Sequence, residues 1–198
     1  SPLNDKTIRA ELHAQLANDL ALTSARIIEE LALVHGMVRA DLVVSTTSWL
    51  HAYEIKSDLD TLDRLPQQAM VYGQTCDYVT LVVGWRLVVE AMKQAPSWWE
   101  VWLAERNEAF DVTFIPLRTP AENPAEYRPA LARLLPRAEA LSLLAERGTD
   151  HGVRTKPRAA IYGRLMETVS LTELRAHVHQ HLRTRASLAA PRPWLGGG

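Results

Sequence analysis

One cysteine in 198 residues leaves no partner for an internal disulfide and no means to build a cysteine zinc cage. Cys76 therefore fits a reducing compartment, and the expected location is the cytoplasm. No apolar run approaches the roughly 20 residues that span a bilayer, so no membrane partner is expected. The segment "SPLNDKTIRAELHAQL" has neither a basic start nor an apolar stretch, and does not read as a signal peptide. There is no phosphate-cradling glycine loop and no G-x-S-x-G elbow, which removes the sequence basis for NTPase and serine hydrolase chemistry. Nothing in the chain calls for an organic cofactor.

What is present is a soluble globular composition, 47% hydrophobic and 23% charged, long enough for one domain with a proper core. The net charge of −1 conceals an asymmetry. Residues 1–127 hold 10 Lys and Arg against 18 Asp and Glu, whereas residues 128–198 hold 12 against 5. Eleven of those twelve C-terminal cations are arginine, the side chain best matched to phosphate. Such a stretch is either a solvated helical surface or an electrostatic footprint for nucleic acid.

Periodicity gives an order of elements. Residues 5–20 and 22–35 read as helices, the second from "SARIIEELALVHG" with Ser24 as cap and Gly36 as stop. "RADLVVST" and "WLHAYEIKS" read as two strands joined through a Thr-Thr-Ser turn. "DTLDRLPQQAMVYGQTC" is helical with Pro66 in its first turn, and "DYVTLVVG" is a fully buried strand. "WRLVVEAMKQA" is a helix ended by Pro96, and "WWEVWLAE" and "FDVTFIPL" are further strands. Beyond residue 124 the pattern is helical and basic. The expectation is an α/β core over residues 1–123, a mixed central sheet flanked by helices, and a helical, arginine-rich extension over 124–198.

The stretch "YEIKSD" raises the chemical question. Side chains alternate along a strand, so Glu54 and Lys56 share a face. A hairpin turning between Thr47 and Ser48 sets Leu50 against Ser45 and Glu54 against Asp41. Opposed residues have Cβ atoms about 5 Å apart, and like charges placed so are destabilising. A hard divalent cation would reconcile two facing carboxylates; a buried Glu54–Lys56 ion pair is the structural alternative. At helical spacing Ile27, Leu31 and Val34 form a stripe with Glu30 at its edge, so a helix there would bring Glu30 toward the pair. Gln68 and Tyr72 are spaced i and i+4, on one helix face.

"RIIEEL", "RADLVV", "YEIKSD" and "QAMVY" in that order resemble the PD-(D/E)XK nuclease superfamily and its RecB-like branch. That signature is a helix glutamate, an aspartate opening a strand, E-x-K on the next strand, and Q-x-x-x-Y on the following helix. The chain is also similar to small stand-alone bacterial and phage members whose roles are unassigned. Ala40 stands where the namesake proline would precede Asp41. The resemblance covers about residues 22–85 and implies a restriction-endonuclease-like core of α-β-β-α-β order. It implies Asp41, Glu54 and Lys56 as catalytic residues, and Mg2+ or Mn2+ held by Asp41, Glu54, the Ile55 carbonyl and Glu30. Gln68 and Tyr72 would position substrate or the lysine region. The implied activity is a metal-dependent deoxyribonuclease serving repair, recombination, phage biology or defence. The alternative is a catalytically silent nuclease-fold module that binds nucleic acid or a protein.

Three weaker features remain. Arg154, Lys156 and Arg158 are the candidate DNA contacts within the basic tail, where "KPRAAIYGRLMETVSLTELRAHVHQHLRTR" carries two helical patterns parted near Ser170. His177 and His181 of "HVHQH" are spaced to hold a transition metal, without an evident third ligand. Trp98, Trp99 and Trp102 are either base-stacking or packing residues.

Overall fold

The computed structural model describes residues 2–188; Arg192 and the rest of the expected extension beyond 188 lie outside the described residues. Helix α1 (Asp5–Asp19) is capped by Asn4, whose Oδ1 accepts the Thr7 amide at 2.9 Å. It buries Ile8, Leu12 and Leu16, one apolar residue per turn. Six strands follow in an order that the sheet repeats: β1 (Arg26–Leu33), β2 (Val38–Ser45), β3 (Leu50–Lys56), β4 (Tyr78–Gly84), β5 (Glu100–Arg106) and β6 (Val112–Arg118). Pairing is antiparallel for β1–β2, β2–β3 and β5–β6, and parallel for β3–β4 and β4–β5. The parallel crossovers are α2 (Leu65–Gly73) and α3 (Val88–Gln94). The chain ends in α4 (Pro129–Ala132), α5 (Arg137–Glu146), α6 (Arg158–Thr168) and α7 (Leu171–Leu188). The architecture is a six-stranded mixed sheet flanked by helices. None of the described helices is long and apolar enough to cross a membrane.

The alternation of β3 and β4 separates two cores. Leu50, Ala52, Val79, Leu81 and Val83 join the larger one, beneath α2 and the C-terminal helices, while Tyr53, Ile55 and Val82 pack toward α1. The helices after residue 128 contribute Leu131, Leu144, Ile161, Leu165 and Val178 to the larger core. α7 packs directly on β1 and β2. The described part of the basic segment is thus built into the sheet's own core. Asp77 fastens it: its carboxylate pairs with Arg128 and Arg175, and its Oδ2 accepts the Leu50 amide at 2.7 Å.

The helix expected at 22–35 is a strand. Ile28, Leu31 and Leu33 all face the larger core, whereas Ile27 packs toward α1. A straight strand cannot present residues 28 and 31 to one side. Glu30, at φ 53°, turns the strand over between them and so produces the i, i+3 spacing of a helix. β2 changes face at the matching place, with Val38, Ala40 and Val43 in the larger core and Leu42 and Val44 in the smaller. Positive φ at Val34, His35 and Gly36 closes the β1–β2 hairpin where a helix terminus was expected.

The remaining core elements follow the sequence reading. Ser45 pairs with Leu50, the expected register, and the ladder runs on to Leu42↔Tyr53. Trp99 is fully buried against Tyr72, and Trp102 packs on Phe114 and Tyr53. Trp98 and Trp99 precede β5, which begins at Glu100.

Candidate active site

β2 and β3 part company after Leu42↔Tyr53, and the charged residues gather at that fork. Continuing the register by one step sets Asp41 opposite Glu54. On its other side, the pairs Glu29↔Leu42 and Leu31↔Ala40 set Glu30 opposite Asp41. Three acids therefore stand in one row across three strands.

Glu54 is buried on the α2 side of the sheet. Its Oε1 accepts from Lys56 Nζ at 2.8 Å and from Gln68 Nε2 at 2.5 Å, and its Oε2 accepts from the Tyr72 hydroxyl at 2.5 Å. Gln68 and Tyr72 lie on the buried face of α2, one turn apart, as their spacing predicts. Burial, with Glu54 beside it, pushes the Tyr72 phenol well above its usual range, so it stays a donor. The ion pair posed by "YEIKSD" is real: Glu54 and Lys56 are 2% and 5% exposed.

Asp41 lies across the fork on β2, and its side chain is more exposed than that of Glu54. Its Oδ2 accepts the Ile55 amide at 2.7 Å, in place of a backbone ladder bond. Its Oδ1 accepts from Arg9 Nη2 at 2.7 Å, and its backbone carbonyl accepts from Arg9 Nη1 at 3.2 Å. Burial, and secondarily the Glu54 charge, push the Asp41 carboxyl up to about 7; the Ile55 amide and Arg9 oppose that rise. Glu30 reaches the row from a strand, not from a helix, and its exposed carboxylate is taken by arginines. Arg9 Nη1 holds its Oε1 at 2.6 Å, and Arg39 lies 3.9 Å from its Oε2.

Among the described residues no group of three or more His, Cys, Asp and Glu side chains converges on a metal position. One observation nevertheless fits a cation at the Asp41–Glu54 pair. Gln68 Oε1 is buried without a hydrogen-bond donor, and a cation-bound water would supply one. Asp41, Glu54 and the Ile55 carbonyl would form the protein side, with Glu30 outside it.

Arg9 had no signal in the sequence, since a cation on the first helix is ordinary there and Asp41 lies 32 residues on. Its guanidinium is burdened by burial, but bonds to Asp5 and the Asp41 charge more than offset this and raise its pKa. Asp58 is a second such residue. Its backbone amide and Oδ2 tie down Leu3, while its Oδ1 accepts the Arg86 amide at 3.1 Å. This loop crosses so close to Gly84 that a Cβ there would lie 2.8 Å from the Asp58 amide nitrogen.

The proposed DNA contacts lie before and at the start of α6, which packs on α4 and α5. Arg154 pairs with Asp150 and its carbonyl accepts from Arg137 Nη2. Lys156 and Arg158 are exposed and make no ion pair among the described residues. Other C-terminal arginines are consumed internally, Arg147 by Glu173 and Arg164 by Glu167. His177 and His181 line a groove of about 280 Å³ between α5 and α7, where His181 Nδ1 lies 2.8 Å from Glu139 Oε1.

The profile of the family described as Bacteriophage P4 protein cII matches residues 2–189, nearly the whole chain. The chain belongs to that family. It is similar to Protein cII of Enterobacteria phage P4, 33% identical over 95 residues, which are 48% of this chain and 36% of that protein. The match therefore spans little more than a third of the relative's length. No solved structure matches the chain.

Proposed function

We propose that this protein is a metal-dependent deoxyribonuclease with a restriction-endonuclease-like core, acting in phage biology, DNA repair, recombination or defence. The observation that carries the reading is the row at the β2–β3 fork: Asp41 opposite Glu54, with Lys56 2.8 Å from Glu54 and Gln68 and Tyr72 gripping its other lone pairs. The elements support it too. The aspartate lies on one strand, E-x-K on the next, Q-x-x-x-Y on the following helix, and a parallel strand succeeds them.

Bound Mg2+ or Mn2+ would supply positive charge that acidifies a coordinated water and stabilises the leaving oxygen. Asp41 and Glu54 hold the charge that such an ion requires. Lys56, its ammonium fixed by Glu54, orients the attacking water or a phosphate oxygen. Water oxygen bonds to phosphorus, the bond to the leaving sugar oxygen breaks, and that oxygen takes up a proton. Gln68 and Tyr72 hold Glu54 rigid during this exchange, a positioning role.

A second reading has its own observation. Each oxygen of Asp41 and Glu54 already accepts a hydrogen bond from Arg9, Ile55, Lys56, Gln68 or Tyr72. A nuclease-fold module that binds DNA or a protein without catalysis would need nothing more. Calorimetric titration with Mn2+ and Mg2+, followed by incubation with supercoiled, linear and single-stranded DNA, separates the two. Metal-dependent cleavage lost in Glu54→Gln is the expected result. A folded protein that takes up no divalent ion and cuts no DNA supports the silent module.

A further inference from the structure

Arg9 uses all five of its N–H groups on acids and a carbonyl around the fork. Nε donates to Asp5 Oδ1 at 3.2 Å and Nη2 to Asp5 Oδ2 at 3.3 Å. The other Nη2 bond reaches Asp41 Oδ1 at 2.7 Å, and Nη1 serves Glu30 Oε1 at 2.6 Å and the Asp41 carbonyl at 3.2 Å. One guanidinium thus bonds three carboxylates; of these, among the described residues, Glu30 alone has a second arginine, Arg39, nearby, while Lys56 serves Glu54.

We propose that Arg9 is the internal counter-ion of this site, competing with the divalent cation for Asp41 and setting the metal concentration at which the site loads. The inference rests on the metal-dependent reading above. A cation on Asp41 and a guanidinium 2.7 Å from its Oδ1 repel each other, so loading has to break the Arg9–Asp41 bond. The broken bond need not unfold α1. Arg9 keeps Asp5 on its own helix and Glu30 on β1 as alternative partners, and α1 is held independently by Ile8, Leu12 and Leu16. Arg9 also holds Asp41 at both backbone and side chain, which orients the carboxylate before metal arrives. It is a positioning residue that acts through Asp41.

The test is calorimetric titration with Mn2+ on wild type, Arg9→Met and Arg9→Lys, at one pH and ionic strength, with melting curves for each. Arg9→Met keeps the apolar stem and removes the charge, so Mn2+ should bind on the order of tenfold tighter, the scale of one unit charge at short range. Arg9→Lys keeps a charge but loses the fork that spans Glu30 and Asp41, and should lie between the two. Should Arg9→Met fail to fold, the Lys variant alone still has to bind more tightly than wild type. Equal or weaker binding in folded variants overturns the inference and leaves the nuclease reading standing. No Mn2+ uptake by wild type or by any folded variant overturns the metal-dependent reading itself.

Discussion

Asp41 Oδ2 accepts the Ile55 amide at 2.7 Å, so a side chain closes the ladder where the β2 backbone has turned away from β3. The same carboxylate is pinned by Arg9 and faces Glu54, and its protonation is consequently a property of the fold.

A pH dependence follows. The Asp41 carboxyl is raised from 3.8 to about 7 in the folded protein. An acid that holds its proton more tightly when folded stabilises most below its unfolded pKa, and that contribution is lost as pH rises through the folded value. Metal-free protein should lose stability between about pH 4 and pH 7, by at most about 1.4 kcal/mol per unit. Urea melts across this range should show the slope, and both Asp41→Asn and saturating Mn2+ should flatten it. A slope unchanged in Asp41→Asn would remove Asp41 as its source.

Lys56 and Glu54 form the buried pair that the site depends on. Lys56→Met leaves the Glu54 charge with only Gln68 and Tyr72, and should cost about 3–5 kcal/mol without metal. Adding Glu54→Gln to Lys56→Met should recover much of that loss, because no isolated charge remains. Denaturant melts of the cycle measure the coupling. DNA cleavage should be absent in all three variants, and persistent cleavage in Lys56→Met would make the pair architectural.

The basic segment is a weaker phosphate surface than its composition suggests, because Arg128, Arg147, Arg164 and Arg175 face acids of the same chain. Lys156 and Arg158 should then carry more of any DNA contact than Arg154, which Asp150 holds. Fluorescence anisotropy against salt tests this. Lys156→Ala with Arg158→Ala should reduce the log–log salt slope by about 2, and Arg154→Ala by less. Equal effects from all three would show that Asp150 does not restrain Arg154.

His51 gives the fold an acid limit. Its ring stacks on Tyr53 at 4.3 Å, and its Nε2 lies 2.7 Å from Thr80 Oγ1, which donates to Glu100. Thr80 therefore accepts from a neutral, Nε2-protonated imidazole. Burial pushes its pKa from 6.5 down to about 3. A histidine favoured neutral in the fold contributes stability fully above about pH 6.5, and that stability is lost as pH falls toward 3. His51→Gln keeps a donor for Thr80 and should flatten the loss between pH 6.5 and 4 in thermal melts. The same acid sensitivity in the variant would assign it to other groups.

Features under the control of short-range geometry are legible in the chain. The Ser45↔Leu50 register follows from turn arithmetic, the Glu54–Lys56 contact from strand alternation, and the shared face of Gln68 and Tyr72 from helical pitch. Other features arise from contacts between segments distant in the chain. Residues 26–33 have the spacing of a helix, yet become a strand because Glu30 reverses its face and β2 offers a partner through the whole length. Arg9 belongs to the site only because α1 packs against the sheet near Asp41, a proximity that no local pattern encodes. The arginines of the basic segment likewise look alike in sequence. Asp77, 51 residues from Arg128, turns two of them inward, since a buried carboxylate takes whichever cations the fold delivers.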